Sequence, residues 1–179
     1  MHLAAMDLFA ERGYENTTAA EIAERAGLAK SGFFRHFTDK REVLFYGQEM
    51  LDDFLAKAVA DAPSDATAMG AIGAALQGLQ VAFPAERREA VRRRQAIIDA
   101  HAELRERELV KRAAMTQALA AGLRQRGVPD LAARLAATIG DLALNIAYTN
   151  WLEATGDPPF GQCVRRALED LQAATSTLT

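Results

Sequence analysis

The chain has 179 residues, half of them hydrophobic, with 25% charged, one cysteine and a formal net charge of −3. That length suffices for one good core or two small ones sharing a helix, and the acidic balance excludes a generally basic nucleic-acid binder. The lone Cys163 excludes an internal disulfide framework; it suits a reducing cytoplasm, with helix packing as its expected role.

Alanine is abundant, β-branched residues are sparse and no stretch alternates polar with apolar, so the fold class read from the sequence is all-α. The first helix runs from about His2 to Arg12, with Leu3, Met6, Leu8 and Phe9 inward, and ends at Gly13. Thr18 followed by Glu21 is a capping-box pattern that starts a second helix. Ile22, Ala23 and Ala26 give it a small apolar face, and Gly27 supplies the positive φ that ends it. After Leu28 a short third helix carries Phe33, Phe34 and Phe37. Phe33 and Phe37 are four apart, share a face and can pack inward. Lys30, Ser31, Gly32, Phe34, Arg35 and His36 are left on the outer and forward surface. A helix-turn-helix of this form lays its second helix in a DNA major groove; spacing alone equally allows an αα-hairpin with a solvated basic face.

Further along, Thr38–Asp39 starts a fourth helix expected to reach about Asp61, with Val43, Leu44, Leu51, Phe54, Leu55 and Val59 on a helical period. Pro63–Ser64–Asp65 is a break, with Ser64 or Asp65 as the cap of a helix to about Val81. Pro84 starts another helix that breaks near His101. A longer one, about Ala102 to Arg126, stops at Gly127–Val128–Pro129. Asp130 caps a helix from Leu131 to about Ala154, Gly156–Asp157–Pro158–Pro159 breaks it, and the last helix spans about Phe160 to Ala174, with 175–179 fraying. The count is roughly nine helices.

Three stretches carry a resemblance. LFAERGY (Leu8 to Tyr14), TTAAEIAERAG with KSGFFRHF, and DKREVLF (Asp39 to Phe45) together resemble the N-terminal domain of TetR-family (tetracycline-repressor-like) transcriptional regulators, without gaps over about residues 3 to 46. The resemblance implies a helix-turn-helix DNA-binding domain over 1–46, and a larger helical effector-binding and dimerisation domain over 47–179. It implies a cytoplasmic homodimer that binds a pseudo-palindromic operator, most simply as a repressor, and is released by a small effector. Lys40 stands where the family has a phosphate-binding lysine, and Arg35 and His36 fall on its variable basic and polar positions. Many relatives have threonine where this chain has Gly32 and tyrosine where it has Phe34, so one phosphate anchor is weakened. Relatives often carry a basic arm before the first helix, whereas this sequence begins almost inside it.

Charge placement bears on the same point. Residues 1–46 hold Arg12, Arg25, Lys30, Arg35, Lys40 and Arg41 against seven acids, yet residues 28–41 hold four cations against Asp39 alone, a balance of +3. Lys30 and Ser31, at the front of the third helix, are placed to reach base edges. Thr17 or Thr18 offers a hydroxyl and backbone N–H groups to a phosphate.

In the larger domain, Met69, Phe83, Ile98, His101, Met115, Asn145, Tyr148 and Trp151 are the candidate effector-lining residues. Asn145, Tyr148 and Trp151 fall on one helical arc and offer a polar handle beside aromatic walls, so a mainly apolar or aromatic ligand is expected. Core packing is the other reading of each. The faces bearing Leu131, Leu135, Leu142 and Ile146, and Val164, Ala167, Leu168 and Leu171, are read as a two-fold dimer interface or as monomer core.

An enzyme is disfavoured. His101-Ala-Glu103 matches the H-x-E of zinc deaminases, but no P-C-x-x-C follows. No H-E-x-x-H, G-x-S-x-G or phosphate-binding G-x-x-x-x-G-K-[ST] occurs, and the three histidines are far apart. No cofactor is expected. No apolar run reaches the roughly 18 residues that span a bilayer, and no secretory leader is visible. The alternative is a helical ligand- or protein-binding dimer that has lost specific DNA binding.

Overall fold

In the computed structural model, described for residues 1–177, the chain forms nine α-helices and three short 3-10 turns, with no strand among the described residues. No single described helix is long and apolar enough to cross a membrane. The chain packs as two units. Residues 1–48 with 92–108 make the first, and 49–91 with the chain from 109 onward make the second. The expected head of 1–46 therefore takes a second segment that the sequence assigned to the larger domain.

In the head unit, α1 (His2–Arg12) buries Ala5, Leu8 and Phe9. Those positions define one helical stripe; Leu3 lies off it and is 77% exposed, against the expectation. Gly13 at φ 84 ends the helix, its N–H returning to Phe9 O at 3.0 Å. The capping box forms as read: Thr18 Oγ1 accepts from Glu21 N–H, Thr18 N–H donates to Glu21 Oε2 at 2.8 Å, and α2 (Ala19–Arg25) follows. Gly27, at φ 71, then turns the chain into α3 (Lys30–Phe33). Phe33 and Phe37 pack inward with ring centroids 5.3 Å apart.

The fourth helix does not start at Asp39. The Asp39 carboxylate accepts from the N–H groups of Arg41 and Glu42, at 2.8 and 3.3 Å, and a 3-10 turn over Glu42–Phe45 follows. Tyr46 is extended (ψ 132) and Gly47 has φ 87, so α4 begins only at Gln48 and runs to Ala60. Val43, Leu44 and Phe45 of this turn are all in the core, and the positive φ of Gly47 separates the turn from α4. Ile98 from α6 (Arg88–Ala100) and Leu104 from α7 (Ala102–Gln125) complete this core.

The second unit is organised by α5 (Ala68–Gly78), α8 (Asp130–Glu153) and α9 (Phe160–Ser176), which pack on one another. The cap of α5 is Thr67, whose hydroxyl accepts from Gly70 N–H at 3.0 Å, rather than Ser64 or Asp65. A 3-10 turn over Leu79–Val81 follows α5, and another over Ala85–Arg87 precedes α6. Asp130 is the first residue of α8 rather than its cap, and its carboxylate receives Arg124 Nε at 2.7 Å. Gly140 lets α8 approach α5 closely: a Cβ there would stand 2.7 Å from Ile72 Cγ2. Of the tail expected to fray, 178–179 lie outside the described residues, and α9 itself continues to Ser176.

Candidate nucleic-acid interface

Most of the head's positive charge is consumed internally. Arg12 pairs with Glu21 at 2.9 Å, and Arg25 holds both carboxylate oxygens of Glu11 at 2.8 and 2.7 Å. Arg41 is bound to Asp39 at 2.9 and 2.5 Å. These bonds hold three carboxyls below the ordinary range: Glu11 through Arg25, Glu21 through the Thr18 hydroxyl and backbone, and Asp39 through Arg41.

Lys40, expected on a DNA phosphate, is also committed. Its Nζ donates to the carbonyls of Tyr14, Thr17 and Glu15 at 2.8, 3.2 and 3.3 Å, and lies 4.3 Å from the centroid of the Tyr14 ring. An ammonium has three protons, and three carbonyls take them. Lys40 thus fastens the α1–α2 connection. Thr17 is buried and donates to Gly13 O at 2.9 Å, so it does not face a phosphate either. Thr18 stays exposed, but its hydroxyl donates to Glu21 Oε2 at 2.8 Å and serves the capping box.

What remains outward is α3 and the turn that follows it. Lys30, Ser31, Phe34, Arg35 and His36 are exposed, and among the described residues neither Lys30 nor Arg35 has an ion-pair or hydrogen-bond partner. Phe34 is 50% exposed, with one edge against Phe33 at 5.3 Å. Gly32 is half-buried, and a Cβ there would meet Leu28 only at the ordinary contact distance of 3.4 Å. Packing within the head therefore does not require glycine at this position. The surface can present two unpaired cations, a hydroxyl and an apolar ring to a polyanion.

The second segment of the head was not legible as such in the sequence. Tyr14 is buried and donates its phenol to Glu103 Oε1 at 3.1 Å; burial and that carboxylate push the phenol well above its ordinary value. His101 stacks edge-on against Tyr14 at 4.7 Å and approaches Glu15 at 3.4 Å. Arg94 donates to Leu44 O at 2.6 Å, and Arg107 pairs with Glu42. The H-A-E triplet that superficially resembled a metal motif is half of this packing.

The expected effector set separates. Phe83, Tyr148 and Trp151 come together in the second unit, joined by Phe160, which the sequence reading did not single out. Met69 and Met115 belong to that unit's core. Ile98 and His101 belong to the head unit, and Asn145 is exposed. The expected dimer residues separate too. Leu131, Leu135 and Leu142 are 79, 61 and 46% exposed along one side of α8. Val164 and Ala167 are fully buried in the unit's own core, with Ile146, Leu168 and Leu171 partly buried against it. For α9, core packing is the reading the structure supports.

Residues 3–46 match the family model described as bacterial regulatory proteins, tetR family. The HTH-type transcriptional regulator TcmR of Streptomyces glaucescens is 32% identical over 75 residues, covering 42% of this chain; the chain matches only 33% of that relative's length. Among solved structures, a TetR-family transcriptional regulator from Mesorhizobium loti has a TM-score of 0.58 at 23% identity, over 98% of this chain and 93% of that one. A transcriptional regulator from Aquifex aeolicus has a TM-score of 0.55 at 17% identity, over 97% and 96%. At such identities the likeness is one of fold.

Proposed function

We propose, from a head whose residues 3–46 match the model of the TetR family of bacterial regulatory proteins, a ligand-responsive transcriptional regulator that binds a pseudo-palindromic operator as a homodimer and represses. The observation that carries this reading is the charge pattern of the head. The arginines of α1, α2 and the Asp39 turn are neutralised by neighbouring acids, while Lys30 and Ser31 on α3 and Arg35 on the turn after it stand exposed, both cations unpaired among the described residues. Unpaired cations release counterions from DNA, and a hydroxyl and a lysine at the front of α3 read base edges.

Dimerisation is assigned to the exposed side of α8, where Leu131, Leu135 and Leu142 leave an apolar stripe. Two heads related by a two-fold axis explain why such a protein reads a palindrome. The chain passes between the units at 48/49, 91/92 and 108/109. An effector that prefers one arrangement of those crossings shifts the dimer away from the spacing its operator needs, and operator binding reciprocally weakens effector binding.

Selection from a random duplex library tests the reading. Enrichment of a palindrome with half-sites about one helical turn apart supports it. No enrichment by the full chain favours a helical dimer that binds a ligand or protein without reading DNA.

A further inference from the structure

Among the described residues of the second unit, two buried donors have no acceptor. Trp151 is fully buried and its indole Nε1–H is unpartnered; Arg88 is 13% exposed, and its Nη1 is buried and unpartnered. The guanidinium is held by Nη2, which donates to Asp157 Oδ1 at 2.7 Å. Asp157 lies in the loop between α8 and α9, six residues beyond Trp151 and three before Phe160. Asp157 thereby ties Arg88 to the loop that follows the end of α8 bearing Trp151.

Aromatic rings line this end. Phe83 stacks on Phe160 at 4.6 Å and meets Trp151 and Tyr148, each at 5.9 Å; Trp151 meets Phe160 at 5.6 Å. Phe83 touches all three rings, yet it is carried outside any helix, between the 3-10 turns Leu79–Val81 and Ala85–Arg87. A buried donor left unsatisfied is costly, and indole and guanidinium groups can only donate. What completes them is an acceptor, and beside a guanidinium the best acceptor is an anion.

We propose that this end of α8 and α9 is the effector site, and that its ligand is an aromatic carboxylic acid whose carboxylate is taken by Arg88 Nη1 and Trp151 Nε1 while its ring replaces Phe83 against Phe160. The assignment rests on the effector-responsive reading above and names the class of ligand. Arg88 supplies charge and a planar donor edge, Trp151 fixes the orientation, and the segment bearing Phe83 moves to admit the ring. Tyr148 and Phe160 supply the apolar walls.

Trp151 is the one tryptophan in the sequence, so its fluorescence reports the site directly. The test titrates the full chain with phenylacetate and 2-naphthoate, each beside its primary amide, for the wild type and Arg88→Met. The carboxylates are expected to perturb Trp151 saturably and to bind about tenfold or more tightly than the amides, a charged hydrogen bond being lost in each amide. Arg88→Met, confirmed folded by thermal unfolding, is expected to abolish that preference. Equal binding of acid and amide, a preference that survives Arg88→Met, or no response to either acid overturns the proposal. Operator binding is followed separately. If the full chain selects no operator, the regulator reading fails while the fluorescence still decides the ligand class; if operator binding is intact and only amides release it, the regulator reading stands and this class falls.

Discussion

Lys40 shows how far a residue's type is from its role. Its position suggested a phosphate contact; its three bonds to the carbonyls of Tyr14, Glu15 and Thr17 make it a fastening of the α1–α2 connection. The sequence supplies a lysine at the right register but not the convergence of three carbonyls, which exists only once Gly13 has turned the chain. Lys40→Met is therefore expected to lower the head's stability by about 1–3 kcal/mol, measured by thermal unfolding, since the freed carbonyls lose a charged donor. Salt dependence of DNA binding by the folded fraction should be unchanged; a flatter slope would return Lys40 to the phosphate backbone. The paired carboxylates set a pH dependence. Glu11, Glu21 and Asp39 have folded values below their unfolded ones. Their contribution is present above the unfolded value and is lost as pH falls through the folded one, so the head should weaken below about pH 4. Tyr14 has the opposite sign: its folded value is raised, so stability is lost as pH rises beyond about 10. Unfolding curves across that range check both limbs.

At the scale of elements, periodicity located the long helices well because α7, α8 and α9 are bounded by Gly127, Pro129 and Pro159, residues that stop helices for local reasons. It failed at 39–47, where helical spacing continued through a 3-10 turn. There Val43, Leu44 and Phe45 are all drawn into the core, a tertiary demand invisible to local pattern, although Gly47 at φ 87 was a usable signal. Close helix approach is similarly silent in the sequence. Gly122 of α7 lies so near α4 that a Cβ would stand 2.5 Å from Ala56 O. Gly122→Ala should destabilise by about 1–3 kcal/mol, because backbone rather than a flexible side chain must move; a thermal midpoint equal to wild type would contradict that packing. On α8, Leu135→Glu should yield a folded monomer by sedimentation, whereas Val164→Ala should cost about 2 kcal/mol of stability and leave assembly intact. A Leu135→Glu protein that remains dimeric would move the interface off α8.

For the whole molecule, the head's motif was legible and the distribution of the chain between the two units was not. The head's motif is local, gap-free and carried by capping and turn chemistry, so residues 3–46 declare themselves. The second segment of the head, 92–108, joins through Tyr14–Glu103 and Arg94–Leu44, pairs separated by 89 and 50 residues that no local pattern connects. The aromatic group of the second unit was half legible, since Tyr148 and Trp151 share a helical arc, but Phe83 and Phe160 reach it from other elements. The central claim is that α3 meets DNA with charge left over from a head whose other cations are spent. The salt dependence of binding to a selected duplex, for the wild type and for Lys30→Ala/Arg35→Ala, tests it most directly. The account predicts a slope flattened by roughly two to four, as four phosphate or base contacts per dimer are lost, with thermal unfolding of the head unchanged. An unaltered slope and affinity in the folded double variant would contradict it.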